Sequence, residues 1–251
     1  MLSAQQLKVL TALQVKKYRQ KYQMFVLEGA KLVGELLGQQ RIQVQGVYGT
    51  VAWASENASL VERAGGLFQT ISESELRKIS SLSTPPGVLA IASLPSVEPT
   101  AEGPAFYLDG IRDPGNLGTI LRIADWFGFA AVYCSPDCTD AFSPKVVQAS
   151  MGAILRVAVA EIAFADLLLH WSGRPIAGAV LDGDDALRAA LPTGTLLVIG
   201  SESEGIRPET AQHLTHRLTI PRAPHSRAES LNAAVAAGIL AAVLTKKQDT
   251  E

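Results

Sequence analysis

The chain has 251 residues, of which 47% are hydrophobic and 18% are charged, and its formal net charge is −2. This composition is that of a globular protein with one large core or two smaller ones, and we expect two domains. The near-neutral charge excludes a protein that coats nucleic acid nonspecifically, and the absence of an apolar stretch of roughly 20 residues excludes a membrane span.

The N-terminal residues MLSAQQLKVL contain no signal-peptide core, so we expect a cytoplasmic protein. An early helical segment follows, in which basic residues greatly outnumber acidic ones. Between Leu7 and Lys31 the single acid is Glu28, and the basic residues are Lys8, Lys16, Lys17, Arg19, Lys21 and Lys31. This asymmetry predicts a local basic patch, and the alternative is an ordinary solvated helix face.

The first domain is predicted to be a small α/β sandwich. The segment FVLEGAKLVGELL places apolar residues at helical spacing from Val26 to Leu37, directly after Phe25, and predicts a helix. The runs QGVYGTV, GLFQTIS and GVLAIASL predict strands. Three prolines between Pro95 and Pro104 then indicate a linker. We therefore predict a first domain over 1–98, a linker over 99–104 and a second domain over 105–251.

Buried strands alternate with helices in the second domain. The predicted strands are AFYLD, AAVYC, PIAGAVL, TLLVIG and RLTIP, with helices from about Asn116 to Phe127, near Lys145 and from Leu231. Apolar strands separated by helices predict a parallel sheet covered on both faces, and ligands bind at the carboxyl ends of such strands. This rule selects three loops: Asp109 to Asn116, Gly200 to Arg207, and Pro221 to Ser230.

Neither a disulfide framework nor a metal site is predicted. Cys134 and Cys138 are the only cysteines, so no zinc-ligand pattern is present. His213 and His216 have no further ligand at a convincing spacing, and we interpret them as structural or solvated side chains.

The first loop and its helix read LDGIRDPGNLGTILRIADWFG. Asn116 is a suitable helix cap, and Asp125 is placed to hold the guanidinium of Arg122. A glycine-rich turn before a helix also occurs in dinucleotide-binding proteins. However, Gly115 and Gly118 lack the third glycine of that pattern, which disfavours a nucleotide-dependent oxidoreductase.

The second and third loops carry polar residues at strand ends. In LLVIGSESEGI, Glu202 and Glu204 flank a turn and either organise cationic or hydroxyl groups or are simply solvated. In the third loop Ser230 is predicted to cap the last helix, with Asn232 in its first turn.

These three loops resemble the three signature motifs of the SpoU/TrmH family of RNA 2′-O-methyltransferases. The first motif corresponds to Asn116, Gly118 and Arg122, and the second corresponds to Gly200 and Glu202. The third corresponds to the run from Ser230 to Asn232. The segment 142–157 is similar to the family's connecting segment, and the basic N-terminal region with FVLEGAKLV is similar to the RNA-binding domain of many members.

The resemblance implies a SPOUT α/β fold with a trefoil knot, a homodimer, S-adenosylmethionine as cofactor and a structured RNA as substrate, with rRNA favoured over tRNA. It also implies the roles of individual residues. The catalytic residues would be Asn116, Arg122, Glu202, Ser230 and Asn232; the cofactor-binding residues Gly200, Ser201, Ile220, Pro221 and Leu231; and the RNA-binding residues Lys16, Lys17, Arg19 and Lys21. A noncatalytic RNA-binding protein that retains the fold is the second alternative, beside the oxidoreductase.

Overall fold

The computed structural model describes residues 1–99 and 102–246, and the chain forms two compact units. The first unit comprises Met1–Ser96 together with Asp140–Leu155, and the second comprises Val97–Thr139 and Arg156–Glu251. The segment 140–155 thus groups with the first unit, although it lies within the predicted domain 105–251. Residues 100–101 of the predicted linker and residues 247–251 lie outside the described part of the chain.

The described residues form ten strands and eleven α-helices. The strands are β1 (Met24–Glu28), β2 (Val44–Gly49), β3 (Phe68–Thr70), β4 (Val88–Ser93), β5 (Ala105–Asp109), β6 (Ala131–Cys134), β7 (Ala158–Glu161), β8 (Ile176–Asp185), β9 (Leu196–Gly200) and β10 (His216–Thr219). The helices are α1 (Ala4–Ala12), α2 (Lys16–Tyr22), α3 (Ala30–Leu37), α4 (Val51–Glu56), α5 (Ala58–Ala64), α6 (Glu73–Ile79), α7 (Pro114–Trp126), α8 (Pro144–Ala149), α9 (Phe164–His170), α10 (Pro208–Ala211) and α11 (Ala233–Lys246).

The sheet of the first unit has the strand order β1-β4-β2-β3. The three strands predicted from sequence are confirmed as β2, β3 and β4. The helix predicted after Phe25 is wrong in its first part, because Phe25, Val26 and Leu27 are all buried in β1 and pair antiparallel with β4. Gly29, with φ of +102°, ends this strand and allows α3 to begin at Ala30.

The contacts of segment 140–155 with the rest of the first unit include packing of α8 on β1, an ion pair and an aromatic contact. The Arg19 Nε donates to Asp140 Oδ2 at 2.9 Å, and its guanidinium also donates to the Leu13 carbonyl at 2.7 Å. The ring of Phe142 meets that of Phe25 edge-on, with centroids 5.0 Å apart. Because Arg19 is only 3% exposed, the prediction that it binds RNA is wrong.

The second unit is built on a six-stranded sheet with the order β10-β8-β9-β5-β6-β7, in which all pairs are parallel. This confirms the parallel sheet predicted from the apolar strands. Tyr107 of β5 packs against Phe164 of α9, with ring centroids 4.8 Å apart. The adjacent Phe106 points to the opposite face and stacks on Phe129 at 4.2 Å, so both faces are covered. Strand β7 and helix α9 were not predicted.

Helices α7 and α11 pack against each other in the second unit. A Cβ built on Gly238 of α11 would lie 3.4 Å from Ile123 Cδ1 of α7, which reflects the close approach predicted from the alanine- and glycine-rich sequence. Within the described ranges, no helix is long and apolar enough to cross a membrane.

Replacing Arg19 with Ala tests whether the buried ion pair stabilises the first unit. Breaking a buried pair costs about 3–5 kcal/mol, and the 18% exposure of the Asp140 side chain reduces this, so we expect a loss of about 2 kcal/mol in the free energy of unfolding. Urea denaturation measures this loss. Lys17→Ala, at an exposed position of the same helix, should change the value by less than about 0.5 kcal/mol. Equal effects of the two substitutions would contradict the role assigned to Arg19.

Candidate active site

The three loops selected from sequence all follow strands of the second sheet at its carboxyl edge. The first leaves β5 after Asp109, the second leaves β9 after Gly200, and the third leaves β10 after Thr219. Strands β5 and β9 are direct neighbours, with Asp109 opposite Gly200. The first and second loops therefore start side by side.

Helix α7 starts two residues earlier than predicted, and Asn116 is not its cap. Asp113 is the N-cap, and its side chain accepts a hydrogen bond from the Asn116 backbone N–H at 2.7 Å. Pro114 fits the first helical position because its missing N–H would have no partner inside the helix. Since Asp113 performs the capping, the Asn116 side chain remains available for other contacts.

The Asn116 side chain joins the three loops. Its Nδ2 donates to Glu202 Oε1 in the second loop. Its Oδ1 accepts a hydrogen bond from Asn232 Nδ2 in the third loop, at 2.9 Å. Three predicted site residues that are far apart in sequence thus meet in one cluster, which we call the amide cluster (Asn116, Glu202 and Asn232).

Asn232, rather than Ser230, caps the last helix. Its Oδ1 accepts from the backbone N–H groups of Ala234 at 3.0 Å and Val235 at 3.2 Å, and α11 begins at Ala233. The predicted cap, Ser230, is exposed and lies three residues before the helix. Asn232 is closer to the free N–H groups of the first turn, so it satisfies them instead.

Arg122 lies on α7 but does not join the amide cluster. Each helical position turns the side chain by about 100°, so a separation of about six positions places the Asn116 and Arg122 side chains about 120° apart around the axis. Arg122 is exposed. The prediction that Asp125 holds Arg122 is wrong, because Asp125 accepts two hydrogen bonds from Arg156 Nε, at 3.0 and 3.1 Å.

The residues predicted to bind a cofactor lie at the ends of β9 and β10 and before α11. A Cβ on Gly200 would lie 2.1 Å from the Gly205 carbonyl carbon, so only glycine fits there. Ser201 pairs with Gly205 through two backbone hydrogen bonds, which close the turn. Ile220 is half-buried, Pro221 is exposed, and Leu231 is 48% exposed.

An ion pair with a buried carboxylate lies at the base of the first two loops, and it was not predicted from the sequence. The Asp109 side chain is fully buried and accepts from Arg207 three times, from the backbone N–H at 2.9 Å, from Nε at 2.6 Å and from the terminal guanidinium nitrogen. A charged residue that ends a wholly apolar strand requires a buried partner, and this was the available signal.

Arg207 also faces a second carboxylate, that of Asp137, at 3.3 Å. Hydrogen bonding to Asp109 raises the pKa of Arg207 above its usual range, so the guanidinium stays charged. The pKa of Asp137 is lowered, mainly by the hydrogen bond from the Ser135 hydroxyl and also by the charge of Arg207. Asp137 therefore remains ionised beside the fixed guanidinium of Arg207.

These features define a class of protein: an α/β protein in which a covered parallel sheet presents a polar site at its carboxyl edge, where enzymes of this architecture bind ligands. Comparison with known proteins identifies the family. Residues 104–242 match the model of the SpoU rRNA Methylase family, and residues 4–90 match that of the MRM3-like substrate binding domain. The chain belongs to the SpoU rRNA methylase family, as its three motifs predicted.

Similar proteins align along nearly the whole chain. A protein from Porphyromonas gingivalis assigned to the TrmH family of RNA methyltransferases is 42% identical, and its structure has a TM-score of 0.87 over 98% of this chain and 99% of that one. An AdoMet-bound rRNA methyltransferase from Sinorhizobium meliloti is 27% identical, with a TM-score of 0.84 over 100% and 98% of the two chains. The 23S rRNA (guanosine(2553)-2′-O)-methyltransferase of Bacillus subtilis is 27% identical over 91% of each chain.

Asn232 and Ser230 both precede α11, and replacing each in turn tests which of them caps this helix. Asn232→Ala removes two hydrogen bonds to the first turn and should lower the free energy of unfolding by about 1 kcal/mol. Ser230→Ala is the matched control and should change it by less than about 0.5 kcal/mol. Thermal or urea denaturation of both variants measures these changes. A larger loss of unfolding free energy for Ser230→Ala would show that Asn232 is not the cap.

Proposed function

We propose that this chain transfers a methyl group from S-adenosylmethionine to a ribose 2′-hydroxyl of ribosomal RNA. The observation that carries the proposal is the amide cluster, which joins all three motif loops at the carboxyl edge of the sheet. The names of two relatives support the substrate and the cofactor. One methylates a guanosine 2′-oxygen of 23S rRNA, and the structure of the other contains AdoMet.

The residues at the strand ends fit such a cofactor. Leu231 and Val235, each about half exposed, offer apolar surface beside the amide cluster. Half-buried Ile220 and exposed Pro221 extend the apolar character after β10. The carboxylate of Glu202 suits a ligand that carries a sulfonium cation. We propose that Gly200, Ser201, Ile220, Pro221 and Leu231 hold the cofactor.

S-adenosylmethionine, when bound, would supply an electrophilic methyl group for the ribose oxygen, with its sulfur released as a neutral thioether and the hydroxyl proton passing to water. The chain must then place the ribose hydroxyl and stabilise the negative charge that develops on oxygen. Arg122 suits the second task, because its guanidinium is always charged and can also bind a phosphate through two hydrogen bonds. A guanidinium is a poor base, so we do not assign proton removal to Arg122. Asn116, Asn232 and Ser230 would orient the hydroxyl, with Glu202 holding Asn116.

We further propose a homodimer in which Arg122 acts in the site of the partner subunit. Within one chain the helical geometry directs Arg122 about 120° away from Asn116, so a second copy is the simplest way to bring both residue types to one ribose. We also propose that the chain forms the trefoil knot that its resemblance to the SpoU/TrmH family implies.

The first unit offers a surface for the RNA. Its basic segment becomes more uniformly positive once folded, because Glu28 is buried and accepts hydrogen bonds from Ser80 and Ser81. Lys17 and Lys21 are exposed on α2, and Tyr18 stacks on Tyr22 with centroids 6.3 Å apart. Lysines that contact phosphates, interleaved with aromatic rings that stack on bases, are typical of RNA-binding surfaces. With Lys16 they form the proposed RNA surface.

The test is methylation of rRNA and tRNA by the purified chain with labelled S-adenosylmethionine, followed by mapping of the 2′-O-methylated nucleotides. We expect methylation at a single rRNA position. We also propose that the protein acts in the cytoplasm. Cofactor binding by calorimetry without methylation of either RNA would instead favour the noncatalytic RNA-binding alternative. Binding of a nicotinamide cofactor would favour the oxidoreductase.

Arg122→Ala should lower turnover by at least about 100-fold, because the charge that stabilises the oxyanion is lost, while cofactor affinity stays nearly unchanged. Single-turnover methylation and calorimetry measure the two effects. If each site uses the partner's Arg122, mixing Arg122→Ala with Asn232→Ala should restore about a quarter of the wild-type activity, since half of the dimers then contain one intact site. No restoration after subunit exchange would contradict the shared site.

Replacing Lys17 and Lys21 together with Gln should weaken RNA binding and flatten its dependence on salt. Each lost phosphate contact lowers the slope of log affinity against log salt by about 0.7–0.9, so we expect a change of about 1.5. Titrations at several salt concentrations measure it. The matched control is Arg77→Gln with Lys78→Gln, two exposed cations of α6 in the same unit. Equal slopes for the two double variants would place the RNA elsewhere.

A further inference from the structure

Asp109 is attached to both ends of the second loop. In the sheet it lies opposite Gly200, the last residue of β9. Its carboxylate accepts the backbone N–H and the guanidinium of Arg207, the residue that follows the turn. The segment between Gly200 and Arg207 is therefore fixed at its beginning and at its end to one fully buried residue.

The turn between these attachment points is rigid at its base and exposed at its tip. Ser201 and Gly205 exchange two backbone hydrogen bonds, at 3.1 and 3.0 Å, and Gly205 has φ of +69°. The tip carries Glu202, which is exposed and whose carboxylate contacts Asn116 in the first loop. The position of Glu202 is thus determined by the ends of the turn rather than by burial of its own side chain.

Arg207 also connects this turn to the segment after β6. Its guanidinium lies 3.3 Å from Asp137 Oδ1. The Ser135 hydroxyl donates to Asp137 at 2.7 Å and accepts the N–H of Gly110, the first residue of the first loop, at 2.9 Å. One guanidinium therefore links the chain segments that follow β9, β5 and β6.

We propose that Asp109 and Arg207 are a positioning pair for the proposed methyl transfer: they hold the turn so that Glu202 meets Asn116. This inference rests on the proposed function. Arginine suits this position because two nitrogens of its planar group donate to Asp109 Oδ1 and one of them also faces Asp137 Oδ1. The single ammonium nitrogen of lysine cannot occupy both nitrogen positions. Neither residue belongs to the amide cluster, so their effect on the reaction is expected to pass through Glu202.

Arg207→Lys tests the first part of the proposal without any assay of activity. We expect amide hydrogen exchange in the turn 201–206 to accelerate by at least about fivefold, because its C-terminal attachment is weakened. Arg217→Lys is the matched control, since Arg217 forms an exposed ion pair with Asp182 at 2.7 Å in the same unit. Unchanged exchange in the turn of Arg207→Lys would overturn the positioning pair.

A double-mutant cycle with Glu202→Gln tests the second part. Misplacement of a catalytic group by about 1 Å can cost about 100-fold, so Arg207→Lys should lower kcat by about 10- to 100-fold with little change in cofactor affinity. Adding Arg207→Lys to Glu202→Gln should then cost less than about threefold more, because both changes disturb one contact. Independent, multiplicative losses in kcat would mean that the pair does not act through Glu202 and would overturn the proposal.

Two further measures distinguish failure of the positioning pair from misfolding of the variant and from failure of the proposed function. If Arg207→Lys does not fold, Asp109→Asn combined with Arg207→Gln removes both charges at once and carries the same expectations. If the wild-type chain methylates no RNA, the proposed function fails, but the exchange experiment still decides whether Asp109 and Arg207 hold the turn.

Discussion

The site depends on a buried carboxylate at the end of a central strand. Removing the Asp109 charge from water is unfavourable unless donors surround it, and in this fold they come from a residue almost one hundred positions later in the chain. The requirement for those donors brings Arg207 to the end of β5. The loop that ends at Arg207 is thereby brought to the start of the first loop. The donors that the buried carboxylate requires thus determine where the exposed residues of the second loop lie.

In the first unit, burial removes some charged side chains from the surface and leaves others exposed. The sequence between Leu7 and Lys31 contains six cations and one anion. Folding buries one cation, Arg19, against Asp140, and it buries the one anion, Glu28, against two serine hydroxyl groups. Lys17 and Lys21 stay exposed, while the one acid of the segment is buried. A chain with almost no net charge can therefore still offer a locally positive surface to RNA.

Much of the second unit could be predicted from sequence, since continuous apolar runs between helices lead to a covered parallel sheet, and that sheet brings strand-end loops to one edge. The errors have a common cause. Asp113 and Asn116 are both good caps, as are Ser230 and Asn232, and only the actual first turn decides between them. Arg156, the partner of Asp125, is distant in sequence, whereas local helical spacing indicates only the pairing with Arg122. Similarly, Phe25 to Leu27 fit a helical spacing until β4 provides a neighbouring strand.

The hydrogen bonds of the amide cluster run in one direction, and this explains why two asparagines are needed. The N–H groups at the start of α11 donate to Asn232, Asn232 donates to Asn116, and Asn116 donates to Glu202. Each asparagine accepts with its oxygen and donates with its nitrogen. The series therefore leads from the positive end of a helix to a carboxylate, and its bonds polarise one another. An aspartate at either position could accept but not donate, and at position 116 it would also place a second negative charge against Glu202. The amide groups thus fix the orientation of the carboxylate, and they do so without adding charge to the site.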